Sequence, residues 1–95
     1  MTNEQIAGCV GIIKAHSIKE QEDKAIEEMS ELTKAILKSR HDKGTIEEIV
    51  DELADVRIML EQLILIYDCR EAVNDRVCYK IDRQLERQEG EKSEM

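Results

Sequence analysis

The chain has 95 residues, of which 38% are charged, with no Pro, Phe or Trp and a formal net charge of −8. This is the profile of long amphipathic helices rather than of a sheet with its turn residues, and its acidity argues against a general nucleic-acid or membrane-surface binder. One domain of this size buries only about 60–65% of its unfolded surface, so self-association is expected. Cys9, Cys69 and Cys78 form no CxxC spacing; they fit free or buried thiols in a reducing, cytoplasmic setting.

The apolar run I-A-G-C-V-G-I-I follows an acid and no base, so it reads as neither signal peptide nor membrane span. It predicts a weak first helix from Asn3 to about Ala15, with Ile6, Val10 and Ile13 on one face and two glycines opposing it. Ser17, three before Glu20, is a capping-box signature that opens a second helix. Its stripe of Ile18, Ala25, Met29, Leu32 and Ile36 runs out near Ser39. Gly44, which takes a left-handed conformation cheaply, supplies the stop. Thr45 and Glu48 repeat the capping box and open a third helix.

That third helix is apolar on two sides. One stripe, Ile46, Ile49, Leu53, Leu60 and Ile64, reads as the core face. A second, Val56, Met59, Leu63 and Ile66, lies about 60–100° round from it and reads as the face covered by another subunit. Asp68 with Glu71 is a third capping signal, placing the start of a last helix near Cys69. The expected architecture is all-α, about four helices, with a helical hairpin core completed by oligomerisation. Residues 1–88 form the single domain, and the polar segment 89–95 is expected to be disordered.

Glu28 and Glu31 are three apart, as are Glu52 and Asp55, so each pair shares a helix face. The break R-H-D-K-G between them lets the two helices fold back with the pairs facing. Four converging carboxylates repel one another, and a divalent cation makes such a cluster tolerable. Lys24 and Lys34 offer the ordinary alternative for the first pair, solvated helix charges with local partners. Glu52, set among Ile49, Val56 and Met59, fits a solvated face less well, although an ion pair to Arg57 or to a partner subunit would account for it. Hard oxygen ligands and the lack of a His pair favour Mg²⁺ or Mn²⁺ over zinc.

On the last helix Arg76, Lys80, Arg83 and Arg87 form a basic row. It is either an intersubunit salt-bridge strip or an anion site, and beside a metal cluster the anion reading gains weight, because triphosphates need both. His16, His41, Tyr67 and Tyr79 read as incidental or packing residues.

E-E-M-S-E-L followed by E-L-A-D-V resembles the E-E-x-x-E…E-x-x-D signature of MazG-like all-α nucleoside triphosphate pyrophosphohydrolases, and Gln21 and K-I-D-R-Q-L-E-R are similar to short single-domain members. The resemblance spans roughly Gln21 to Arg87. It implies a homo-oligomer, dimer or tetramer, that cleaves a nucleoside triphosphate between the α and β phosphates with Mg²⁺, giving the monophosphate and pyrophosphate. Glu28, Glu31, Glu52 and Asp55 would then hold the metal, Glu27 and Glu28 would serve catalysis, and Lys80, Arg83 and Arg87 would contact phosphates. Ser30 replaces a Gly common in the family, and the aromatic residues that often frame the base in relatives are missing here. Rival readings are a non-catalytic helical oligomerisation module, which Mg²⁺ would leave unchanged, and a pyrophosphohydrolase for a phosphoribosyl or signalling nucleotide.

Overall fold

The computed structural model describes residues 1–93 and consists there of four α-helices: α1 (Asn3–Lys14), α2 (Ile18–Arg40), α3 (Ile46–Tyr67) and α4 (Arg70–Ser93). The chain is all-α, as its composition implies. No helix is long and apolar enough, among the described residues, to cross a membrane.

The starts of the helices follow from their caps. Thr2 and Gln5 form a reciprocal box ahead of α1, and Ser17 and Glu20 form one ahead of α2; each satisfies N–H groups that the first helical turn leaves without partners. Thr45 accepts a bond from the Glu48 N–H at 3.3 Å without a return bond, so half of the expected box opens α3.

The helix ends differ from expectation. Among the described residues the left-handed ones are Asp42 (φ 57°) and Asp68 (φ 50°), and no glycine there has positive φ. After α2, the Lys43 N–H bonds the Lys38 carbonyl; after α3, the Cys69 N–H bonds the Ile64 carbonyl. Both are Schellman-type closures with Asp at the left-handed position. Asp68 therefore ends α3 rather than opening α4. Gly44 sits in a close approach instead: a Cβ there would meet the Lys38 Cβ at 3.0 Å and the Ser39 nitrogen at 3.2 Å, a fit tight enough to push the neighbours by a few tenths of an ångström.

Helices α2 and α3 form the hairpin, α1 lies against α3, and α4 has its main contact with α3. The buried face of α2 is Gln21, Ala25, Glu28 and Ala35, spaced to line one side of the helix. Its small residues let α3 approach closely. Ile18, Met29 and Ile36, expected on the core stripe, are exposed. On α3 the expected core stripe is only partly covered, with Ile49 and Ile64 half-buried. Met59 is 6% exposed and packs within the chain, whereas Leu53 and Leu60, read as core, are 50% and 49% exposed, with Ile46 also outward.

The turn between α3 and α4 is held by an ion pair of Arg70 with Glu61, and the Tyr67 hydroxyl donates to Glu22 across the hairpin. Beyond Val73, α4 is exposed through Glu91. Its helix continues to Ser93, into the stretch expected to be disordered; residues 94–95 lie outside the described residues. The Cα radius of gyration is 17.0 Å, against about 12–13 Å for a compact domain of this length. The difference reflects α4 standing out from the hairpin.

Candidate metal centre

The closing of the hairpin brings Glu28 on α2 opposite Glu52 and Asp55 on α3. One carboxylate oxygen from each lies within 4.8 Å of the others. Glu28 is 9% exposed, and Glu52 and Asp55 are half-buried. The Glu52 Oε2 is buried without a hydrogen-bond partner, and Arg57, its expected alternative partner, is exposed.

Electrostatics mark the same spot. Burial raises the Glu52 carboxyl above its ordinary value, and Asp55, Glu28, Glu31 and Asp51 add to the rise. Burial also raises Asp55, reinforced by Glu28 and Asp51 and by a hydrogen bond with Glu28, while Lys24 opposes the rise. Desolvation and like charge act together here, the combination that a bound cation relieves.

Glu31 stands beside this set, with Lys34 3.4 Å away, and acts on Glu52 through its charge. Glu27 is exposed and tied to the Lys24 ammonium at 3.6 Å, while the same ammonium holds Glu28 at 3.1 Å. The local lysines expected by the ordinary reading are thus present on α2, but none satisfies the Glu52 Oε2.

Toward the hairpin turn the acids open into a cleft of about 550 Å³. Glu31, Glu48, Asp51 and Glu52 line it together with Lys34, Lys38 and Lys43. Lys34 was expected only as a local partner of the first acidic pair, and Lys38 and Lys43 were not singled out, because each looks like a solvated helix-end charge until the turn folds back over α2. The close approach at Gly44 was the available signal, misread as a need for left-handed backbone.

Lys80, Arg83 and Arg87 are exposed on α4. The Arg76 and Arg83 guanidinium groups lie 4.7 and 5.9 Å from the centre of the Tyr79 ring, which places part of the basic row over its own helix's aromatic. Compared with known proteins, the chain matches no family model, no curated protein and no solved structure.

Proposed function

We propose that the chain is a Mg²⁺-dependent nucleotide pyrophosphohydrolase of MazG-like type, releasing pyrophosphate from a nucleoside triphosphate. The observation that carries this reading is the convergence of Glu28, Glu52 and Asp55, with the partnerless buried Glu52 oxygen, next to a lysine-lined cleft. The residues fit the ion: Glu28, Glu52 and Asp55, joined by Glu31, supply hard anionic oxygens suited to Mg²⁺ or Mn²⁺. When bound, the ion supplies positive charge against the phosphoryl oxygens and activates water for attack.

The chain's own groups do the rest. Lys34, Lys38 and Lys43 provide charge-assisted donors for the phosphates that leave as pyrophosphate. Glu27, exposed and paired with the Lys24 ammonium that also holds Glu28, would serve as the proton acceptor. Lys80, Arg83 and Arg87 reach phosphates only if assembly brings a second copy's α4 across the hairpin. We assign the protein to a homo-oligomer in which a second copy covers Ile46, Leu53 and Leu60, because a lone chain leaves that face in water.

The test is a panel of NTPs and dNTPs scored for pyrophosphate release with Mg²⁺ and with EDTA. Pyrophosphate from at least one substrate, lost in EDTA, is expected. The exposed apolar faces also favour a second reading, a non-catalytic assembly module. A stable oligomer that releases no pyrophosphate and whose melting ignores Mg²⁺ would select it.

A further inference from the structure

We infer that the cavity where α1, α2 and α3 meet receives the nucleobase, whose hydrogen-bonding edge is read by the carboxamides of Gln62 and Gln21; this rests on the nucleotide reading above. The cavity measures about 370 Å³, and Ile12, Ile58 and Met59 give it apolar walls. Gln21 and Gln62 also line it, although they are only 4% and 1% exposed. Gln62 is the largest fully buried side chain among the described residues, and its Oε1 has no hydrogen-bond partner.

A buried amide oxygen without a partner costs about 1–3 kcal/mol. A Met or Leu would fill the same space without that cost, so the fold alone gives no reason for glutamine here. A ligand does. A carboxamide offers a donor and an acceptor side by side, and turning the terminal amide over exchanges them. That pair complements the adjacent N–H and acceptor groups on the edge of a nucleobase. The walls suit the flat faces of a heterocycle, and the Met59 thioether adds a polarisable contact for a ring. No Phe, Tyr or Trp lines the cavity; the His16 imidazole, 3.4 Å from Glu20, stands at its α1–α2 side, so the edge of the base is left to the amides.

The position fits a nucleotide. Gln21 precedes Glu28 by two helical turns on α2, and Gln62 follows Asp55 by two turns on α3, about 10 Å along each axis. The helices run antiparallel, so both amides fall at the same end of the acidic cluster, opposite the lysine cleft. Lys24 lines the cavity and bonds Glu28 at 3.1 Å. Base cavity, carboxylates and lysine cleft therefore follow one another along the hairpin in the order base, α-phosphate, outer phosphates.

The test measures Mg²⁺-dependent binding of inorganic tripolyphosphate and of α,β-imido analogues of the common nucleoside triphosphates. Wild-type protein should bind at least one imido nucleotide about tenfold or more tighter than tripolyphosphate. Gln62→Met should weaken that nucleotide by about ten- to a hundredfold, the worth of one or two buried hydrogen bonds, erase preference among bases and leave tripolyphosphate affinity unchanged. Gln21→Met should act in the same direction, and it carries the test if Gln62→Met loses its helical circular dichroism. A wild-type protein that binds tripolyphosphate but gains nothing from any base overturns this inference alone, as does a folded Gln62→Met that binds nucleotides normally. Binding of neither probe overturns the metal reading and this inference with it.

Discussion

On its inner side α3 places Glu52, Asp55 and Gln62 around Met59; on its outer side it places Ile46, Val50, Leu53 and Leu60. A hairpin shaped only by its own burial would do the reverse, with acids in water and aliphatics against α2. Carboxylates inside are unfavourable until a cation neutralises them, and aliphatics outside contribute nothing until another surface covers them. The two faces thus locate two separate deficits in the lone chain, one electrostatic and one hydrophobic. Under the proposed function an ion would relieve the first and a second copy the second.

The inner face is broken most directly by neutralising it. Glu52→Gln and Asp55→Asn each remove an anionic ligand while nearly preserving shape. Loss of one such contact to the transition state, worth several kcal/mol, should lower kcat/KM by about a thousandfold, read by pyrophosphate release. The unliganded protein should become no less stable, because the removed charge was desolvated and crowded by like charge. Activity near wild type in Glu52→Gln would remove the inner face from the chemistry.

The outer face is broken by charging it. Leu53→Glu together with Leu60→Glu should reduce the sedimenting mass to that of one chain while helical content persists, since neither side chain is buried within the chain. If wild-type protein is already a folded monomer at micromolar concentration, the hydrophobic half of the comparison fails.

The lysine cleft and the α4 row compete for the phosphates. Lys38→Ala should lower kcat/KM by about ten- to a hundredfold, as expected for a charge-assisted contact of about 1.5–3 kcal/mol. Lys80→Ala should have that effect only if a second copy's α4 crosses the hairpin. If Lys80→Ala reduces the oligomer mass but leaves turnover of intact oligomer unchanged, the row is a salt-bridge strip.

Acidity sharpens the inner face further. Glu52 and Asp55 have native values raised above their ordinary 4.5 and 3.8, so the native state holds their protons more tightly than the unfolded chain. The favourable contribution is complete below those ordinary values and is lost as pH rises through the raised ones. In EDTA, the urea midpoint should therefore fall as pH rises above about 4, and more steeply for wild type than for Glu52→Gln. The Glu20 carboxyl, lowered chiefly by the Ser17 hydrogen bond, opposes this trend in both proteins and cancels in the difference. Saturating Mg²⁺ should flatten the wild-type slope. A slope no steeper in wild type than in Glu52→Gln would show that the cluster carries no such burden.

Much of this arrangement was readable in the chain before folding. Ser17 and Thr45 mark helix starts because a capping side chain acts within three residues, and E-E-x-x-E with E-x-x-D pairs acids because i and i+3 share a face. What lay beyond local reach was the rotation of each helix about its axis. Periodicity finds the two stripes of α3, but which one meets α2 depends on Ala25 and Ala35 providing the close surface opposite. The same limit hid Lys38 and Lys43, which reach the cleft through the turn, and Gln62, an ordinary helix residue until three helices enclose it. Asp42 and Asp68 took the left-handed sites because a short polar side chain tolerates that conformation, leaving Gly44 in a close approach to α2.

The smallest effect expected is at Gly11, and it tests how far the outer face extends. Gly11 lies inside α1 and is exposed, and a Cβ built there meets nothing within 4 Å. Gly11→Ala therefore removes backbone freedom from the unfolded chain without a clash in the folded one. It should stabilise by about 0.5–1 kcal/mol, a rise of about 2–8 °C in Tm for a domain of this size. That outcome leaves α1 facing solvent and confines the covered surface to α3 and its neighbours. If Gly11→Ala instead lowers Tm and the oligomer mass together, the space beside Gly11 is occupied by a second copy approaching closely, and the outer face runs from α3 onto α1.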